Sequence, residues 1–265
     1  MNLLDGVERI KQEGYSEANA EAKLCQDIVI KAIAKSAFRR NVTIKGGVVM
    51  RSLSGDVRRA TQDLDLDFIR TSISEDSIKV FVEKLNCLDG IYLRIVAPIE
   101  ELKHQDYQGK RVYIEVSDDE NNVLTLKMDI GVHKDLEIEQ EEYCFDVCFQ
   151  EDSVSVLINS KAQMITEKLK SMMRFGTRST RYKDVFDICY LSDSVDMEKL
   201  RTCIKKYIFM DKTIYVSDFD EIKKRAVQIF SSSTYKEQVK RSKKNWLDLS
   251  IDEVLKKDLE FIRKI

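Results

Sequence analysis

Three aspartates, Asp63, Asp65 and Asp67, stand at alternate positions in the stretch Thr61-Gln62-Asp63-Leu64-Asp65-Leu66-Asp67-Phe68. Strict alternation predicts a β-strand with the carboxylates on one face and Leu64, Leu66 and Phe68 on the other. The apolar face can pack on a core. The acidic face is harder to explain by folding alone, because aligned like charges repel and burying them unpaired is costly. A divalent cation would resolve the conflict, since a hard ion takes carboxylate oxygens as ligands. Carboxylates two positions apart on a strand lie about 6.5–7 Å apart. That spacing suits a pair of Mg²⁺ ions about 3.5–4 Å apart.

A second chemical feature precedes the aspartates. A short apolar strand, Val42 to Ile44, ends in Lys45 and runs into Gly46-Gly47, and the apolar run Val48 to Leu53 suits a helix. Glycines at a helix start let backbone N–H groups approach a phosphate, where the helix dipole favours an anion. Arg51 follows in the helix, with Arg58 and Arg59 in the loop before the acidic strand. A triphosphate on the glycine turn and a metal on the aspartates would form a phosphoryl-transfer site. Each half alone reads as readily as a wet edge strand or a plain turn. Their fixed order favours the site.

The elements that must position these residues are legible from periodicity. Helices are expected over 3–13 and 16–38, the second with Ser16 as cap and Ala22, Leu24, Ile28, Val29 and Ile33 at helical spacing. A further amphipathic helix is expected over Ser74 to Leu88. Strands are expected over Ile91 to Pro98, Arg111 to Ser117 and Val123 to Val132, with a hairpin turn at Asp118 to Asn122 between the last two. On the third of these strands Leu124, Leu126, Met128 and Ile130 face one way, and Thr125, Lys127 and Asp129 the other. Asp135 to Asp152 carries no lysine or arginine and reads as a solvated rim, with short strands at Tyr143 to Phe149 and Val154 to Ile158. Beyond Asn159 alternation stops and helical patterns take over, starting with a helix capped by Ser160 and stopped by Gly176, and another from Ser179 to Leu191. Further helices are expected at Asp196 to Tyr207, Val216 to Ile229, Tyr235 to Lys243 and Ile251 to Ile262. We therefore expect two domains, 1–158 and 159–265.

Composition narrows the class. The 265 residues are 43% hydrophobic and 34% charged with a net charge of −2, so global charge does not point to a nucleic-acid partner. Nine glycines and one proline, Pro98, suit a helix-rich chain. No apolar run approaches the ~20 residues of a membrane span, and the first residues lack a signal-peptide core. A soluble cytoplasmic protein is expected. Six cysteines without a C-x-x-C pair, and two histidines, His104 and His133, argue against a zinc site and a histidine-based hydrolase. Cys144 and Cys148 are expected to be small core residues. Local charge is less even. Lys161 to Lys183 holds seven Lys/Arg and one acid, and Glu221 to Lys244 eight and two. Such stretches bind RNA phosphates or form solvated helix faces.

Taken together, K-G-G, an arginine a few residues on, and T-x-D-x-D-x-D resemble the nucleotidyltransferase superfamily, and within it the AbiEii/AbiGii toxin family. Ile165 to Leu191, ITEKLKSMMRFGTRSTRYKDVFDICYL, adds the family's E-K-L helix followed by R-x-K-D-x-x-D. The resemblance implies an α+β (α/β) fold: a nucleotidyltransferase-type mixed sheet flanked by helices, plus a C-terminal helical bundle. It implies Mg²⁺ (or Mn²⁺) held by Asp63 and Asp65, with Asp129 as the matching third acid, which could hold a metal or accept a proton from the attacking hydroxyl. It implies an NTP, GTP or a pyrimidine NTP, facing Lys45, Gly46, Gly47, Arg51 and Thr61. Lys168 matches the E-K-L lysine that faces the phosphates, and Arg181, Lys183, Asp184 and Asp187 match the pocket-completing helix. Two departures stand out: Val48 replaces the usual hydroxyl residue after the glycines, and the gap from Gly47 to Asp63 is wide. The implied activity is transfer of a nucleoside monophosphate from an NTP to an acceptor hydroxyl, RNA and tRNA 3′ ends favoured, by a toxin with a separate antitoxin protein. Alternatives are a small-molecule nucleotidyltransferase of the antibiotic-modifying kind and a non-catalytic GTP- or RNA-binding module on the same fold.

Overall fold

A computed structural model describes residues 2–102, 109–148 and 153–265; His104 and the end of the acidic tract lie outside them. The chain divides into two compact units, Met1–Asn159 and Ser160–Ile265. The first is a mixed α/β unit. Its elements run α1 (Leu3–Gln12), α2 (Glu17–Lys35), β1 (Val42–Lys45), α3 (Gly46–Ser54), β2 (Asp63–Ile69), α4 (Glu75–Lys84), β3 (Ile91–Ile95), β4 (Glu100–Leu102), β5 (Gly109–Asp118), β6 (Val123–His133), β7 (Glu141–Phe145) and β8 (Val154–Ile158).

Among the described residues these strands form one eight-stranded sheet in the order β3-β5-β6-β2-β1-β8-β7, with β4 paired to β5. The pairs β2–β6 and β1–β8 are parallel and the rest antiparallel. Register puts the apolar positions of neighbouring strands side by side: Ile44 opposite Leu66, Leu64 opposite Met128, and Met128 opposite Val112. All are buried. A one-residue slip would turn this whole set outward, so burial fixes the register of the acidic face as well. Helix α2 packs on β6 and β8. Phe81 of α4 meets Phe68 of β2 edge-on with ring centroids 5.0 Å apart.

The second unit is helical: α5 (Lys161–Phe175), α6 (Lys183–Leu191), α7 (Met197–Ile204) running into a π turn at Lys205–Phe209, α8 (Phe219–Ser231), α9 (Ser233–Ser242) and α10 (Ile251–Lys264). Ser160 caps α5 in a reciprocal box with Gln163. Ser250 and Glu253 do the same for α10.

Several expectations shift. Helix α3 begins at Gly46 itself, so the glycines are its first turn and not a loop before it. Helix α6 starts at Lys183; Ser179 instead holds a turn, accepting from the Arg181 N–H at 3.3 Å. Cys144 is exposed and Cys148 half-buried, not core. Strand β7 is a sheet edge, and Phe145 and Val147 take the inward positions there. Among the described residues no helix is long and apolar enough to cross a membrane.

Candidate active site

Strand β1 delivers the chain into α3, and β2 returns antiparallel beside β1. The glycine turn and the acidic strand are thereby brought into contact. Gly46 has φ +68°, a left-handed conformation that glycine adopts without steric cost. A Cβ there would collide with the Asp65 carboxylate, whose Cγ would lie 3.0 Å away. A Cβ on Gly47 would lie 2.7 Å from both Cβ and Oγ1 of Thr61. Both glycines are thus required by close approach to two other candidate residues. Lys45 occupies the N-cap of α3 without a side-chain capping bond. The first N–H groups of a helix have no intrahelical acceptor, so this end presents donors and positive potential next to Asp65.

The acidic face is a lattice of charges set by register. Asp65 stands opposite Lys45 on one side and opposite Asp129 on the other, and Asp129 stands opposite Arg111. Asp63 stands opposite Lys127. Arg111 grips Asp129 in a two-pronged pair, Nε to Oδ1 at 2.8 Å and Nη2 to Oδ2 at 2.9 Å. That bond pushes the guanidinium further above its already high pKa. Lys127 Nζ lies 2.7 Å from Asp63 Oδ1, and Lys45 Nζ 2.7 Å from Asp67 Oδ1.

Lysines and an arginine on adjacent strands therefore relieve the repulsion for which the sequence argument invoked a metal. Asp67 is buried with its lysine, while Asp63 and Asp65 stay partly accessible. Among the described residues no three His, Cys, Asp or Glu side chains converge into a ready metal cluster. The donor chemistry of Asp63 and Asp65, two hard carboxylates on one strand face, still suits Mg²⁺ or Mn²⁺.

Arg51 is not at this face in any simple sense. It is 4% exposed, and its guanidinium bonds Gln26 Oε1 and, at 3.3 Å, Asp27 Oδ1 of α2. Gln26 in turn donates from Nε2 to the carbonyls of Thr61 (3.0 Å) and Asp63 (3.2 Å). The arginine thus acts through Gln26 on the backbone that carries the acidic strand. Gln26 and Asp27 were missed in the sequence, although two polar residues inside the apolar run of α2 were a visible signal.

The candidate residues of the helical unit also assemble. Lys168 of α5 is 7% exposed, and its ammonium donates to Asp184 Oδ1 at 3.1 Å and Asp187 Oδ2 at 2.7 Å, both on α6. Arg181 Nε reaches Asp184 Oδ2 at 2.9 Å. Lys183 is the first residue of α6. Asp187, fully buried, also accepts from Trp246 Nε1 at 3.1 Å. Trp246, the single tryptophan of the chain, lies in a region that sequence reasoning left unassigned.

A family model described as the nucleotidyl transferase AbiEii toxin of type IV toxin–antitoxin systems matches residues 28–261. The chain belongs to the AbiEii family. The match takes in the glycine turn, the acidic strand, Asp129 and the Lys168 cluster, and it extends through Trp246 to within four residues of the C-terminal Ile265. The AbiEii family points to nucleotidyl transfer as the chemistry. No curated protein matches the chain.

The basic stretches of this AbiEii member look different once folded. Lys170 and Arg174 both bind Asp211, at 2.8 and 3.1 Å. Burial would raise the Asp211 pKa, but hydrogen bonds from Lys170 and Thr213 outweigh it and hold the carboxyl below its ordinary range. Arg225 binds Glu221 and donates to the carbonyls of Met173, Ile214 and Tyr215. Lys223 pairs with Asp220. Counting charge along a segment overlooked acids such as Asp211 and Asp220 that lie outside it.

Proposed function

We propose that this AbiEii protein transfers a nucleoside monophosphate from an NTP to a hydroxyl of an RNA acceptor, releasing pyrophosphate, as the toxin partnered by a separate antitoxin. The observation that carries the reading is the contact of Gly46 with Asp65: a helix N-terminus suited to phosphate abuts the strand suited to the metal. The N–H groups of Gly46 and Gly47 bind the triphosphate, with Thr61 and Lys45 beside them. Asp63 and Asp65 hold Mg²⁺ or Mn²⁺, which when bound draws negative charge from the phosphates. Asp129, in register with Asp65, either adds a metal ligand or takes the proton of the attacking hydroxyl. The family resemblance assigns Lys168, Lys183, Asp184 and Asp187 to the nucleotide as well; within the helical unit the Lys168 ammonium is held by Asp184 and Asp187. Arg51 keeps the Thr61–Asp63 backbone in place through Gln26.

Val48 is buried, so the position after the glycines serves the core and offers no hydroxyl to a phosphate. The phosphate contacts fall to backbone N–H groups. An RNA acceptor is favoured over a small molecule by the family's toxin character, though the pairing of Lys170, Arg174 and Arg225 reduces the charge available to a long acceptor.

The test is incubation with each labelled NTP, Mg²⁺ or Mn²⁺, and purified tRNA or total RNA. Label should appear at the RNA 3′ end with one NTP preferred, and Asp65→Asn should abolish it. Gel shifts with tRNA should weaken steeply with salt, because each neutralised phosphate releases counterions. Label found only on a small molecule or a protein would overturn the RNA acceptor. Nucleotide binding without transfer to any acceptor would overturn the enzyme reading.

A further inference from the structure

Two of the carboxylates around Asp65 on the acidic face, Asp63 and Asp129, are neutralised by cations of the neighbouring strands. Lys127 stands opposite Asp63 and holds it at 2.7 Å. Arg111 stands opposite Asp129 and holds both of its oxygens. The two pairs are not alike. Asp129 and Arg111 are the more sequestered, with side chains 11% and 27% exposed. Asp63 and Lys127 are 38% and 32% exposed, so solvent and ligands reach them. The lysine stem is long and its ammonium is a point charge on rotatable bonds, which lets it change partners at little cost. The two-pronged arginine pair is held by geometry as well as charge.

We infer that Lys127 is an exchangeable counter-cation: it occupies Asp63 in the free protein and moves to a phosphate oxygen when the nucleotide arrives with its metal. The inference rests on the proposed nucleotide site and concerns how that site is filled. Its consequence is a binding rule. Metal alone competes with Lys127 for Asp63 and binds weakly. Metal with triphosphate meets no such competition, because the phosphates offer the ammonium a replacement anion. The protein therefore selects the metal–nucleotide complex over either component. Arg111 does not exchange; it stays on Asp129 and fixes the position of that carboxylate beside Asp65.

Metal and triphosphate binding are then coupled, and linkage requires the coupling to be equal in both directions. Replacing Lys127 by a neutral residue of similar size separates the effects. Free Mn²⁺ should bind tighter, and the triphosphate weaker. A lysine with a merely structural part in the sheet would move both the same way, or neither.

The experiment is titration of the full chain and of Lys127→Gln with Mn²⁺ alone, read by electron paramagnetic resonance, and again with a non-hydrolysable NTP present. Lys127→Gln should bind free Mn²⁺ about fivefold tighter, the upper end of what a half-exposed ion pair is worth. It should bind the NTP analogue about tenfold weaker, the loss of one charge-assisted hydrogen bond. Unchanged or weaker Mn²⁺ binding in a folded Lys127→Gln overturns the inference. The metal arm needs no nucleotide, so it decides the point even if the wild-type protein binds no NTP. That latter result would instead overturn the proposed function. Asp63→Asn supplies the control: it removes the carboxylate that Lys127 and the metal share, so Mn²⁺ binding should fall in either background, and retained binding would also overturn the inference.

Discussion

The Asp65 carboxylate fills the space where a side chain on Gly46 would start. Two residues nineteen positions apart in the chain are thus a single fitted pair, and the positive φ of Gly46 is part of the fit. Gly46→Ala should cost about 1–2 kcal/mol from the left-handed backbone alone. It should also push the Asp65 carboxylate aside. Denaturant melts should show the stability loss, and nucleotide titration should show a larger loss of binding than the melt explains. Binding that falls only in step with stability would remove any special role for the contact.

The acidic strand should tolerate neutralisation. Asp63 and Lys127 are both about one-third exposed, and half-exposed pairs of this kind contribute about 0.2–1 kcal/mol. The double substitution Asp63→Asn and Asp65→Asn should therefore change stability by no more than about 1 kcal/mol while abolishing nucleotidyl transfer. The expected sign of the stability change is a small loss. Relief of repulsion is offset because Lys127 loses its partner. An active double variant would refute the assignment of these residues.

Lys168 behaves otherwise. Its ammonium lies between two buried carboxylates, and removing one partner of a buried ionic cluster costs about 3–5 kcal/mol. Lys168→Ala should therefore destabilise the helical unit as well as reduce activity. Lys168→Arg, which keeps the charge, should recover much of the stability. Trp246→Phe removes a donor to Asp187, and a cost of about 1–3 kcal/mol is expected. Trp246 is the only tryptophan, so its fluorescence in the wild-type chain reports unfolding of this unit directly.

Asp258 of α10 should make the stability of the folded state depend on pH. It is fully buried, neither of its oxygens has a hydrogen-bond partner among the described residues, and burial pushes its pKa well above 3.8, with Lys257 opposing only in part. The folded state thus binds the proton more tightly than the unfolded chain. Above the unfolded pKa the unfolded state loses its proton first, so this group's contribution to stability falls as pH rises from about 4. The fall continues until the folded pKa is passed. Asp258→Asn cannot ionise and should flatten that part of the stability–pH curve. Urea melts at several pH values from about 4 to 8 would show it, and an unchanged slope would mean that Asp258 is not the group responsible.

Alternation, glycine placement and helical spacing determined much of this protein before any contact was known. The pattern Asp63-Leu64-Asp65-Leu66-Asp67 makes a strand with an acidic face because side-chain direction reverses at every residue. Gly46-Gly47 marks a helix start, and Ser160 marks another, because capping is local chemistry. Those signals need only a few consecutive residues. What lies across the sheet or across a helix pair was decided by tertiary structure alone. Nothing near Asp63 in the chain announces Lys127 as its partner, and nothing near Asp129 announces Arg111; strand order and register bring them together. Along the chain the three like charges imply a metal, whereas the folded sheet supplies cations of its own. Arg51 read as a phosphate ligand because its bond to Gln26 spans two helices. Trp246 carried no local signal because its partner, Asp187, is 59 residues away. Electrostatic pairing acts through space over a few ångströms, and only the folded chain determines which charges come that close.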